Sequence, residues 1–96
     1  MSKLQISVFL IEPIGTDYKK IIVYSDNCES ARKAAADKFD TLYLDKNLSA
    51  CTPVDQKNII EVDEKNNWVK LEYGEVKYEL FKDKPELLTQ GGIPSL

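Results

Sequence analysis

Three stretches in the second half of the chain, Asn58–Asp63, Trp68–Tyr73 and Val76–Phe81, alternate apolar with polar residues around two short polar connections. A period of two sends successive side chains to opposite faces of a strand. The connection Glu64-Lys65-Asn66-Asn67 reads as a polar turn, and Gly74-Glu75 as a two-residue hairpin loop. Gly at the first central position suits a type II′ turn. An equal-length register across that turn pairs Tyr73 with Val76, Glu72 with Lys77, Leu71 with Tyr78, Lys70 with Glu79, Val69 with Leu80 and Trp68 with Phe81. The preceding hairpin pairs Val62 with Val69, Glu61 with Lys70 and Ile60 with Leu71. Every charged pair is opposite in sign and every inward pair is apolar, the agreement between levels that specifies a register. The expected core face is Ile60, Val62, Val69, Leu71, Tyr73, Val76, Tyr78 and Leu80. The opposite face is a ladder of Glu61, Lys70, Glu72, Lys77 and Glu79 that ends in Trp68 and Phe81.

The first half supplies the rest of a sheet and one helix. Leu4, Ile6, Val8 and Leu10 alternate with polar residues, while Phe9 and Ile11 make the second side apolar too, as in a central strand covered on both faces. A turn cluster, Pro13-Ile14-Gly15-Thr16-Asp17, leads to a strand over Lys19–Tyr24. A hairpin register of Val8 with Val23, Leu10 with Ile21 and Glu12 with Lys19 keeps one face apolar and matches a charge pair. Asp26 as N-cap with Glu29 three residues on announces a helix over Cys28–Phe39. Its apolar stripe is Cys28, Ala31, Ala34, Ala35 and Phe39, and three consecutive Ala residues let its backbone lie close to a sheet. Thr41–Asp45 reads equally as a short strand or a distorted helical continuation. Asp45–Gln56, with Pro53 inside it, reads as loop.

These elements give the order β-β-α-β-β-β. The economical arrangement is an α+β two-layer sandwich, with one helix packed on an antiparallel sheet of about five strands. A chain of 96 residues suits one domain, expected over 1–83, followed by a tail over 84–96. The tail begins with a helical turn at Pro85-Glu86-Leu87-Leu88, and Gly91-Gly92 then breaks it. Leu87 and Leu88 are candidates to cover Trp68 and Phe81, and residues 89–96 to bind a partner.

Composition narrows the chemistry. The chain has no His, which removes the commonest general base and metal ligand. Cys28 and Cys51 form no C-x-x-C pair, so no metal site is expected. They read as reduced thiols of a cytosolic protein, with a disulfide the alternative for an exported one. Twelve Lys accompany one Arg, Arg32, against a net charge of -3. That balance is poorly equipped for direct contact with nucleic acid, and the Lys excess reads as codon composition. The carboxylates alternate with Lys and make no coherent acidic stripe of the kind that mimics nucleic acid. No segment approaches the ~20 apolar residues that span a bilayer. No nucleophile, base and orienter come together, so no catalytic residue and no cofactor is assigned.

The remaining reading is a cytoplasmic, non-enzymatic protein-binding module. The candidate partner-binding residues are Trp68, Phe81, Lys70, Glu72, Lys77 and Glu79, because aromatic anchors dominate protein interfaces. In size and plan the chain looks like the small accessory inhibitors encoded by phages and mobile elements, anti-CRISPR proteins included; the resemblance is of size and layout, and no motif carries it. The alternative is a structural homo-oligomer or homodimer built through sheet edges, at Lys19–Tyr24 or Lys77–Phe81.

Overall fold

The computed structural model describes residues 7–15 and 19–88. These residues form an α+β fold with two antiparallel sheets and one α-helix among them, where the sequence suggests a single sheet. The strands are β1 (Val8–Pro13), β2 (Ile21–Tyr24), β3 (Ser49–Pro53), β4 (Ile59–Asp63), β5 (Trp68–Tyr73), β6 (Val76–Phe81) and β7 (Glu86–Leu87), with helix α1 at Cys28–Lys38. One sheet has the order β3-β1-β2-β7 and the other β4-β5-β6.

The four-stranded sheet is covered on both faces. Ile11, Ile21 and Val23 on one face pack with Ala31 and Ala35 of α1 and with Tyr43. Val8, Leu10, Ile22 and Tyr24 on the other pack with Val69, Leu71, Tyr78 and Leu80 of the three-stranded sheet. The molecule is therefore three layers, helix on sheet on sheet. All four residues of β2 are buried, which is why its sequence is a continuous apolar run instead of an alternation.

That double cover moves the first hairpin. β1 and β2 pair as Val8 with Tyr24, Phe9 with Val23, Leu10 with Ile22 and Ile11 with Ile21, one residue away from the expected register. With apolar residues on both faces, hydrophobic patterning no longer discriminates between the two parities. Glu12 forms its ion pair with Lys20 at 3.7 Å, not with Lys19. β2 lies between β1 and β7, so it is not an exposed edge.

The helix starts one residue later than its capping signal suggests. Asn27 is the N-cap, its side chain accepting from the Ser30 amide at 2.8 Å. Asp26 is left free to meet Lys82 at 2.7 Å. Residues Thr41–Leu44 form a 3-10 turn capped by Asp40. The segment expected to be loop contains β3, paired with β1 from Phe9–Pro53 to Pro13–Ser49. Pro53 stands at the last position of this edge strand, where a missing N–H costs no ladder bond.

The meander keeps its expected register. All six β5–β6 pairs, from Trp68–Phe81 to Tyr73–Val76, are those read from the sequence. Val62–Val69 and Glu61–Lys70 also stand as expected, but a bulge between Ile59 and Glu61 makes Ile59 the partner of Leu71. Ile60 is consequently 50% exposed, and Ile59 takes the expected inward place; Val62 keeps its register on this outer strand but is 36% exposed, not the core residue expected. Both central residues of the tight turn have positive φ, 60° at Gly74 and 65° at Glu75. This is the type I′ pattern and not type II′, and it matches the twist of the flanking strands equally well.

The tail also departs from expectation. Glu86–Leu87 is a strand on β2, not a helical turn, and Leu88 is buried in the core between the sheets. The Leu88 amide donates to Lys20 O at 2.8 Å. The strand start at Leu4–Ile6 and the tail reading for 89–96 lie outside the described residues.

Candidate functional site

The alternation of β5 and β6 decides what their outer face presents. Val69, Leu71, Tyr78 and Leu80 point into the core, so Trp68, Lys70, Glu72, Lys77, Glu79 and Phe81 share the other side. β4 adds Glu61 opposite Lys70 and Asp63 opposite Trp68. The six residues singled out from the sequence are thus brought onto one surface. Phe81 is 52% exposed, Trp68 half-buried, and Glu72, Lys77 and Glu79 exposed.

At one end of this face Trp68, Phe81, Asp63 and Asn66 line an open, shallow concavity. The turn after β4 holds its acidic wall. Asp63 caps the short 3-10 turn Glu64–Asn66, accepting from the Asn66 amide at 3.3 Å and its side-chain amide at 2.9 Å. Asn67 then takes φ 54°, a left-handed conformation that Asn tolerates, and returns the chain into β5.

Leu87 and Leu88 do not cover this corner. They lie on the opposite sheet beside β2, because Asp83 and Leu88 are tied to Tyr24 and Lys20. Lys82 marks the divergence. It bridges to Tyr24 in parallel, and its ammonium is held above its ordinary pKa of 10.5, chiefly by the hydrogen bond to Asp26. The end of β6 is therefore fastened to β2, with Phe81 left on the outside.

The one Arg has a structural post that nothing in the sequence pattern announces. Arg32 is buried and donates through Nη1 to Ser49 Oγ at 2.7 Å and Tyr43 O at 3.1 Å, and through Nη2 to Ser49 O at 2.9 Å. Only a planar fork with several donors serves so many acceptors at once. Nearby, Cys28 and Cys51 are joined as a disulfide between the start of α1 and β3, correcting the reading of two reduced thiols. β1 places Cys51 opposite Ile11, on the face that carries the helix. A shallow pocket beside this junction is lined by Cys28, Glu29, Arg32, Leu44 and Lys46.

Among the described residues no group of three or more His, Cys, Asp or Glu is placed to hold a metal ion. No helix among them is long and apolar enough to cross a membrane. No family model, curated protein or solved structure matches the chain.

Proposed function

We propose that this chain is a non-enzymatic protein-binding module that docks on a larger protein through the outer face of the β4-β5-β6 sheet. The observation that carries the reading is Phe81, half exposed beside Trp68 on a face that the described tail does not cover. A large aromatic pair within a charged rim has the composition of an interface centre. The scaffold behind it is packed: the inward residues of the same two strands are buried in the core. Mutating the outer aromatics therefore changes the surface without emptying the interior. The mode of action is steric, an inhibitor or regulator occupying a working surface of its target. The accessory role of the phage-encoded, anti-CRISPR-like kind is supported by small size alone, since the layout differs from the single-sheet plan expected.

The test is capture of a partner from native-host lysate by wild type, Trp68→Ala and Phe81→Ala, with unfolding curves confirming that all three are folded. Loss of one partner band in both variants supports the face; undiminished capture by both removes it.

Of the two edges expected from the sequence, Lys19–Tyr24 is interior as β2, while Lys77–Phe81 is an outer strand as β6 and still carries the homo-oligomer reading; the structure adds a second outer strand, β4, which exposes Ile60 and Val62. The bulge at Ile60 bends that edge, a device that discourages strand addition. A strict monomer by light scattering at high concentration sets this reading aside. As to location, an oxidising compartment suits the Cys28–Cys51 disulfide better than the cytoplasm does. Alkylation followed by intact mass on protein from its host distinguishes the two.

A further inference from the structure

The outer face of the three-stranded sheet is acidic, and its acidity is unevenly matched. Glu61, Asp63, Glu72 and Glu79 stand there with only Lys70 and Lys77 as cations on the strands. Lys70 lies between Glu61 and Glu79 in register, and Lys77 lies opposite Glu72. Asp63 is the exception, because its cross-strand neighbour is Trp68, and Trp68 in turn faces Phe81. Among the described residues the ion pairs are Lys20–Glu12 and Lys82–Asp26, so no cation is paired with Asp63. Among the described residues the cation–π contact is Lys38 over Phe39, on the helix side of the molecule.

We propose that the Trp68–Phe81 corner receives a cationic side chain, Arg or Lys, from the partner protein. This rests on the reading that the face docks on a protein, and it names the chemistry of the contact. An aromatic face carries negative quadrupole density and attracts an ammonium or guanidinium within about 6 Å. Asp63 supplies the full negative charge beside it. Two of its acceptor sites are held by Asn66, and a carboxylate has further lone pairs for an incoming donor. Asn66 completes the wall of the same concavity. A planar guanidinium fits best, since it can stack on the Trp68 ring while its edge donates to the carboxylate. The unbalanced charge of the surrounding face draws a basic segment toward the corner and disfavours an acidic one.

Trp68 is the only Trp in the chain, so intrinsic fluorescence reads this corner directly. The probe is an acetylated, amidated tetra-arginine peptide, with the tetra-citrulline peptide as its neutral isostere. The expected result is a saturable fluorescence change with tetra-arginine that weakens in salt. Binding should fall about three- to five-fold or more with citrulline, with Asp63→Asn and with Phe81→Leu. Circular dichroism checks that both variants keep the fold, and Phe81→Leu stands in if Asp63→Asn loosens the turn it caps. Equal binding of the citrulline peptide overturns the proposal, as does the absence of saturation by tetra-arginine. Saturation by a neutral oligosaccharide such as cellotetraose, without saturation by the peptide, also overturns it. If Trp68→Ala abolishes partner capture while tetra-arginine does not bind, the cationic contact is wrong and the docking face stands. If capture is also unaffected, both fall.

Discussion

Replacing Arg32 by Met tests the reasoning about what holds α1 to β3. The guanidinium makes three hydrogen bonds of 3.1 Å or shorter, to Ser49 Oγ, Ser49 O and Tyr43 O. A fourth, to Asp45 O, is long at 3.4 Å, and that carbonyl already accepts from the Leu48 and Ser49 amides at 3.0 Å. Hydrogen bonds to a charged group are worth about 1.5–3 kcal/mol each, so three would sum to well over 4. Two corrections reduce that. Burying the guanidinium itself carries a desolvation cost that Met does not. The Ser49 hydroxyl, 3.2 Å from Tyr43 O, can hold that acceptor when Arg32 is gone. Ser49 O loses its side-chain donor, and a buried orphan costs about 1–3 kcal/mol. The expected net loss is about 2–3 kcal/mol, a large part of the roughly 5–14 kcal/mol typical of a domain this size. Urea unfolding with the disulfide intact measures it as a lower midpoint at unchanged slope. Arg32→Lys keeps the aliphatic stem and the charge but not the fork, so it should recover less than half of the loss. A midpoint for Arg32→Met within about 0.5 kcal/mol of wild type refutes the reasoning. Full recovery in Arg32→Lys would show that a single charged donor suffices and the fork does not matter.

Three further outcomes are expected. Leu80→Ala, at a site 1% exposed in the core between the sheets, should cost about 2–5 kcal/mol; Ile60→Ala, at the half-exposed bulge, should cost under about 1, and comparable losses at the two would contradict the placement of the bulge. Cys28→Ala with Cys51→Ala opens a loop of sequence separation 23, which the chain-entropy model values at about 3.4 kcal/mol; an unfolding midpoint indifferent both to this change and to reductant would exclude the disulfide. The Lys82–Asp26 contact raises the pKa of the folded-state ammonium, so its contribution is present below 10.5 and is lost as pH rises through the raised value. Asp26→Asn should therefore lower the unfolding midpoint below pH 10.5, and the gap to wild type should close above it; a gap constant across that range rejects the pairing.

How far the candidate site was legible follows from how local its determinants are. The β5–β6 register needs only a two-residue turn and alternating charges, so the shared outer face of Trp68, Lys70, Glu72, Lys77, Glu79 and Phe81 is written in adjacent residues. Gly74-Glu75 forces a two-residue connection whichever primed turn is used, so type I′ in place of the expected type II′ leaves every pair where it was. The bulge at Ile60 was not visible in this way, because Ile59 and Ile60 offer two equally apolar candidates for one inward position. Asp63 is not marked in the sequence as part of the corner for a related reason: its role depends on which residue it faces across the strand, and it faces Trp68.

The sequence by itself determined the β5–β6 hairpin and the helix over residues 28–38, since each rests on contacts between near neighbours in the chain, and it carried the apolar character of β1 and β2. Only the tertiary structure decided that the strands divide between two sheets, that Ser49–Pro53 joins one of them, and that Leu88 enters the core between them. A short polar-looking segment such as Ser-Ala-Cys-Thr-Pro has little preference of its own. It becomes a strand because β1 offers an unpaired edge and because Arg32 and Cys28 hold it there. The β1–β2 parity was settled in the same way, by two layers burying both faces, a fact that no pattern within either strand contains.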